Sequence, residues 1–259
     1  MKKIKVGVVG YKGRMGINIV NCILETDSTI LSGAISSDRE SEDIGLIFGK
    51  TIGINSCTSL TQLFNQSDVV IEFTNPNTMQ KCLKTASHTN TALVSGTTGH
   101  NHHELLVETA KQSPVLWSAN MSIGINMLTK LVKESASKLG TEYDIEILEM
   151  HHNKKQDAPS GTALMLGSAA AQGRSVDLSV VKNTERVGIR QQGDIGFASL
   201  RGGGVFGEHK VMFVAEDEYI TLGHVSLTRN LFAKGAIKAA LWLYNQKNNL
   251  YSMQDVINE

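Results

Sequence analysis

Two segments of the chain hold residues whose types and spacing could do chemistry. Gly10-Tyr11-Lys12-Gly13-Arg14-Met15-Gly16 places three glycines at a spacing that lets backbone turn tightly and approach an anion. A helix opening straight after it would add unpaired N–H groups and a positive dipole end, the requirements of a pyrophosphate seat. The spacing is G-x-x-G-x-x-G, with Lys12 where the commoner dinucleotide fingerprint has its second glycine. The second segment is Glu149-Met150-His151-His152-Asn153-Lys154-Lys155-Gln156-Asp157-Ala158-Pro159-Ser160-Gly161-Thr162-Ala163. Adjacent histidines on extended chain point to opposite sides and chelate one metal poorly. They suit one proton-transferring group and one orienting or substrate-binding group. A loop lysine can donate a proton or anchor a carboxylate. Ser160-Gly161-Thr162 opens a helix, a ready seat for a carboxylate.

Other clusters carry less. In dinucleotide folds an acidic residue about 20 residues beyond the loop binds the adenosine ribose. Here that place reads Ser36-Ser37-Asp38-Arg39. Arg39 facing the ribose would welcome a 2′-phosphate, and Asp38 would favour the plain hydroxyl, so chemistry alone leaves NADH and NADPH both open. His100, His102 and His103 lack a fourth ligand at recognisable spacing and read as a polar helix start; no metal site is expected. Gly202-Gly203-Gly204 lies between β-like runs and reads as a turn or bulge. Trp117 and Trp242 read as core or interface anchors.

These residues need a scaffold. Residues 4–9 form an apolar run expected as a buried strand, and 14–26 carry apolar residues at helical spacing. Residues 30–36, 68–73, 91–95 and 115–118 read as further strands, with helices between the last three. One of these opens at Asn75-Pro76, a cap followed by the proline that suits a first turn. Strands alternating with helices predict an α/β, Rossmann-type doubly wound parallel sheet. Beyond Ser122 the texture changes. A helix over 123–139 and a strand over 144–150 precede the polar loop 151–159 and a small-residue helix from about 160. Then 195–227 holds β-rich runs without long helices, suggesting mostly antiparallel pairing there and predicting an inserted α+β domain that carries an open mixed sheet. Residues 229–244 are helical again.

The bulk properties agree with an ordinary enzyme. Twenty-five basic residues balance twenty-five acidic ones, which argues against nucleic acid or an acidic membrane surface as a partner. Of the 259 residues, 41% are hydrophobic, yet no apolar stretch reaches the roughly 18 residues that span a bilayer. The basic-apolar start is interrupted by Lys5 and runs into the glycine loop, unlike a secretory leader. Cys22, Cys57 and Cys82 are odd in number and lack metal spacing, so they read as small apolar fillers in a reducing compartment. The expected location is cytoplasmic.

The His-His-x-x-Lys-x-Asp-Ala-Pro-Ser-Gly-Thr-Ala run resembles the signature of the 4-hydroxy-tetrahydrodipicolinate (dihydrodipicolinate) reductases. Gly13-Arg14-Met15-Gly16, Glu72-Phe73-Thr74-x-Pro76, Gly96-Thr97-Thr98-Gly99, Ala119-Asn120-Met121-Ser122-Ile123-Gly124, Gly207-Glu208-His209 and Ala240-Leu241-Trp242 resemble other stretches of that family, in the same order. The resemblance implies a homotetrameric NADH- or NADPH-dependent oxidoreductase of lysine and diaminopimelate biosynthesis, acting on a small cyclic dicarboxylate. It implies a cofactor domain of residues 1–122 and 229–259, and a substrate-binding and oligomerisation domain of residues 123–228. Gly10, Tyr11, Lys12, Gly13, Arg14 and Met15 would bind the pyrophosphate, and Ser37, Asp38 and Arg39 the adenosine ribose. Phe73, Gly96, Thr97, Thr98, Ser118, Ala119, Asn120 and Met121 would complete the cofactor side. His151 would donate or accept a proton and Lys155 would donate one, while His152, Ser160, Gly161 and Thr162 would contact substrate carboxylates. Two rivals are a dehydrogenase of another small carboxylated substrate and a dinucleotide-binding redox sensor. The first needs a different second-domain site. The second needs a recognition module that the chain does not display.

Overall fold

A computed structural model describes residues 3–38, 40–185 and 187–258. In chain order the elements are β1 (Ile4–Val9), α1 (Arg14–Glu25), β2 (Thr29–Ile35), a 3₁₀ turn (Ile44–Phe48), α2 (Leu60–Asn65), β3 (Val69–Glu72), α3 (Pro76–Thr89), β4 (Ala92–Ser95), α4 (His103–Ala110), β5 (Val115–Trp117), α5 (Ile123–Leu139), β6 (Asp144–His151), α6 (Gly161–Gly173), α7 (Leu178–Val181), β7 (Lys182–Asn183), β8 (Ile195–Arg201), β9 (Gly207–Val214), β10 (Tyr219–Ser226), α8 (Asn230–Leu243), β11 (Leu250–Tyr251) and α9 (Met253–Ile257). Contacts divide the chain into two compact units, Met1–Ser122 with Asn230–Glu259, and Ile123–Arg229.

The first unit is built on a six-stranded sheet of order β11-β5-β4-β3-β1-β2, in which every pairing is parallel. The central strands are buried nearly throughout, as parallel strands covered on both faces must be. The strand order reverses at β1, which pairs with β2 on one side and β3 on the other. In such sheets ligands bind outside the carboxyl ends of the strands at the switch point. The glycine loop leaves β1 there, and Phe73, Gly96 and Ser118 directly follow β3, β4 and β5. Asn75 caps α3, its side chain accepting from Thr78 N at 3.0 Å, with Pro76 as the first helical residue. All three cysteines are free and buried. No described helix is long and apolar enough to cross a membrane.

The second unit carries a five-stranded sheet of order β10-β9-β6-β8-β7. The sheet is open and mixed, as expected for the inserted domain, but less antiparallel than the β-rich runs over 195–227 suggest. β9 pairs antiparallel with β6 and β10, but β8 runs parallel to β6 and β7, so the sheet is mixed. The residues 202–206 connecting β8 to β9 therefore pass the carboxyl end of β6, where Gly202 N donates to His151 O at 2.9 Å. Gly203 takes a positive φ of 51° in this turn. β6 alternates half-buried and buried positions. Its buried face begins with Ile145 and Ile147 in the apolar core beneath α5 and α6, and ends with the polar pair Glu149 and His151.

Candidate active site

In the first unit a cavity of about 430 Å³ is lined in part by Gly10, Lys12, Gly13, Ser37, Phe73 and Lys81. The loop above it admits only glycine at two places. Gly10 has φ +81°, and a Cβ on Gly16 would lie 2.1 Å from Gly10 O, so α1 can close onto the strand end only because Gly16 has no side chain. The helix starts at Arg14 with Gly13 as its cap and no side-chain cap bond, leaving first-turn N–H groups for an anion. This loop, helix end and cavity fit a dinucleotide pyrophosphate. Tyr11 is fully buried and its phenol donates to Glu42 Oε1 at 2.8 Å, so its side chain supports the loop from beneath. Lys12 Nζ pairs with Asp38 Oδ2 and Glu42 Oε1, both at 2.6 Å. Hydrogen bonds from Lys12 and then Ser36 hold Asp38 at a pKa of about 2. Arg39 lies outside the described residues.

The strand ends beside this loop are tied by a carboxylate to which the sequence reading assigns no role. Glu72 is fully buried and accepts from Ser95 Oγ, from Thr74 Oγ1 at 2.7 Å and from Thr97 Oγ1 at 2.9 Å. Burial pushes its pKa up, against the lowering effect of these hydroxyls. Phe73 lies across Gly96, where a Cβ would stand 2.1 Å from the ring. Thr97 O accepts from Trp117 Nε1 at 2.8 Å, and Ser118 N reaches Ser95 O at 3.2 Å. Thr98 and Ala119 are exposed while Met121 is buried, with its carbonyl against Gly235 of α8. Ser122 N donates to Asn120 Oδ1 at 2.9 Å. Next to these, His100 stacks on His102 and meets Trp117 edge-on at 5.0 Å; the described residues hold no group of three potential metal ligands.

In the second unit the predicted loop and helix meet at the end of β6. His151 is the last residue of the strand rather than the first of the loop. His151 Nδ1 lies 2.5 Å from Glu149 Oε2, and Ser160 N donates to Glu149 Oε1 at 3.2 Å, joining the histidine to the start of α6. Ser160 caps that helix, its hydroxyl accepting from Ala163 N at 3.2 Å, and shares a hydrogen bond of the same length with His209 Nε2. Gly161 is exposed at the first helical position and Thr162 half-buried. Lys155 Nζ pairs with Asp157 Oδ1 at 2.8 Å, and His152 is half-buried. The neighbouring strands add residues that sequence reasoning missed. Parallel register sets Arg201 against His151, and antiparallel register sets His209 against Glu149. Arg201 grips both oxygens of Glu149, at 2.8 and 2.9 Å. The rings of His151 and His209 lie 5.1 Å apart, edge to face. A Cβ on Gly207 would stand 3.1 Å from His151 Nε2, so glycine leaves that nitrogen room. Burial pulls His151 below the usual histidine range, against the Glu149 hydrogen bond; burial, and then the repulsion that protonating both His151 and His209 would bring, hold His209 at about 4. Only the pairing of strands distant in sequence brings Arg201 and His209 here.

Comparison with known proteins covers both units. Residues 4–121 match the family model "Dihydrodipicolinate reductase, N-terminus" and residues 124–257 match "Dihydrodipicolinate reductase, C-terminus". A 4-hydroxy-tetrahydrodipicolinate reductase of Wolbachia from Drosophila simulans is 49% identical, covering 98% of this chain and 100% of its own length. One from Anaplasma marginale is 44% identical, covering 98% and 99%. A dipicolinate-bound dihydrodipicolinate reductase from Paenisporosarcina shares the fold at a TM-score of 0.78 and 22% identity, covering 98% of this chain and 99% of that one.

Proposed function

The chain belongs to the dihydrodipicolinate reductase family, and from that premise we propose that it reduces 4-hydroxy-tetrahydrodipicolinate to tetrahydrodipicolinate with a nicotinamide cofactor. The observation that carries the reading is the meeting of His151 and the open end of α6 through Glu149. That arrangement offers a proton-transfer group and a carboxylate seat in one place.

The glycine loop and the start of α1 would hold the pyrophosphate; Ser37 and Asp38 would contact the adenosine ribose, a role the family resemblance extends to Arg39. Phe73, Gly96, Thr97 and Thr98, with residues 118–121, would flank the nicotinamide, which when bound supplies the hydride. The ribose end favours NADH. Asp38, held ionised beside Lys12, would accept from a plain 2′-hydroxyl and repel a 2′-phosphate. On the substrate side, His152, Ser160, Gly161 and Thr162 would receive the carboxylates through side chains and first-turn N–H groups. The 4-hydroxyl leaves as water with a proton from the neighbouring ring carbon, and the conjugated cyclic imine so formed accepts hydride at C4. Electron density then moves toward the ring nitrogen, where the Lys155 ammonium would stabilise it and supply a proton. Fixing the reacting carbon is the remaining task of these groups.

The second unit would also be the oligomerisation surface of a homotetramer. The sheet face opposite Glu149 and His151 carries Leu148, Met150, Leu200, Met212, Tyr219 and Val225, all half-buried or exposed, among Glu146, Glu208 and Lys210, a mixed face of the kind that copies of a chain cover. A cytoplasmic location fits three buried free thiols.

The test is turnover of both reduced cofactors with enzymatically generated substrate. NADH is expected to give the higher kcat/KM, and Lys155→Ala and His151→Ala to lose roughly 10²–10⁴-fold in kcat with cofactor affinity nearly intact. Wild-type turnover by both variants would remove their assignment.

A further inference from the structure

The strand-end cluster contains a buried carboxylate that this chemistry does not use directly. Glu149 is 1% exposed, yet it joins the three pieces of the site. Its Oε1 accepts from Arg201 Nη2 at 2.8 Å and Ser160 N at 3.2 Å. Its Oε2 meets Arg201 Nη1 at 2.9 Å and His151 Nδ1 at 2.5 Å. The same Arg201 Nη2 reaches the carbonyl of Asp157 at 2.6 Å, in the loop that carries Lys155. One guanidinium and one carboxylate thus fasten the histidine, the start of α6 and the lysine loop to each other. Burial alone would raise the Glu149 carboxyl, but Arg201, Ser199 and His151 outweigh it and hold it at about 2. An ionised carboxylate can only accept. The neutral His151 ring therefore carries its hydrogen on Nδ1, and the lone pair on Nε2 faces the space left by Gly207.

We propose that Glu149, clamped by Arg201, is a positioning residue that sets the tautomer and ring orientation of His151 and keeps the carboxylate-binding end of α6 in register with it. The proposal rests on the reading of His151 as a proton-transfer group. Hydrogen-bonded carboxylates fix imidazoles in this way in unrelated enzymes, where losing the acceptor costs rate while geometry survives. The charged and titratable groups facing His151 are Glu149 on its own strand, Arg201 from β8, His209 from β9 and Lys155 from the loop. Glu149 is the anion among them, so its removal lowers the His151 pKa further.

The deciding experiment compares Glu149→Gln, His151→Asn, their double variant, Arg201→Lys and Arg201→Met for kcat, KM, pH profile, melting temperature and NADH affinity. Glu149→Gln should lose roughly 10²-fold or more in kcat with NADH affinity intact. The acidic limb of its kcat/KM profile should move to lower pH. Arg201→Lys should retain more activity than Arg201→Met. In the double variant the losses should not multiply, because Glu149 acts through His151. Glu149→Gln with wild-type kcat and an unmoved acidic limb, or losses that multiply, would overturn the proposal. If Glu149→Gln does not fold, the two Arg201 variants decide, equal rates in both arguing against it. Full activity in His151→Asn would instead sink the proton-transfer reading itself.

Discussion

His209 shows how one residue can be seated for a site at a cost to stability. It is 3% exposed, with Nε2 on Ser160 and its buried Nδ1 without a partner. Its folded pKa of about 4 lies below the ordinary value of 6.5, so the folded state favours the neutral ring. The unfolded chain takes up the proton as pH falls through about 6.5, and the folded protein only near 4. Stability contributed by the neutral ring is therefore full above that window and lost across it, by roughly 3 kcal/mol. Urea midpoints measured from pH 7.5 to 4.5 should fall on acidification, and His209→Asn should flatten that fall. An equally steep decline in the variant would place the sensitivity elsewhere. Glu149, lowered from 4.5 to about 2, loses its own contribution as pH falls from about 4.5 through about 2, so the fall between pH 6.5 and 5 belongs to His209.

At the scale of elements, the glycine loop works because β1 and α1 touch across it. Gly16 is the point of contact: a Cβ there would stand 2.1 Å from Gly10 O and 2.6 Å from Tyr11 Cα. Both neighbours are backbone, so Gly16→Ala must move the helix start or the strand end. Such overpacking costs about 1–3 kcal/mol. The variant should melt lower and bind NADH at least about tenfold more weakly, since first-turn N–H groups leave their positions; unchanged NADH affinity by fluorescence titration would refute this. Gly16 is legible in the sequence because strand, glycine spacing and helix follow one another locally. α2 and β11 are not. α2 has six residues and β11 two, too short for a periodic signal. The direction of β8 escapes sequence reading for a related reason: strand direction within a sheet depends on which strand it pairs with, and that partner is about 50 residues away.

For the whole molecule, the proposed tetramer concentrates on one surface. Leu200 is 49% exposed and Val225 55% exposed on the outer sheet face. Leu200→Lys should reduce the assembly measured by light scattering while leaving NADH affinity near wild type, because the charge would be stranded in an apolar contact. A tetramer unchanged in mass would move the interface to another face. The sequence by itself determined the α/β class, the glycine loop after β1 and the His-His-Lys segment proposed for proton transfer, since each depends on neighbours a few residues apart. It also carried, through resemblance, the reaction that family membership supports. Tertiary structure alone decided that Arg201 and His209 join His151, that Glu149 links them, and that Glu72 ties the ends of β3 and β4. Glu149 reaches Arg201 across 52 residues of chain and Ser160 across 11, His151 meets His209 across 58, and Glu72 meets Thr97 across 25. Sheet register and the cost of leaving a buried carboxylate unpaired bring them together.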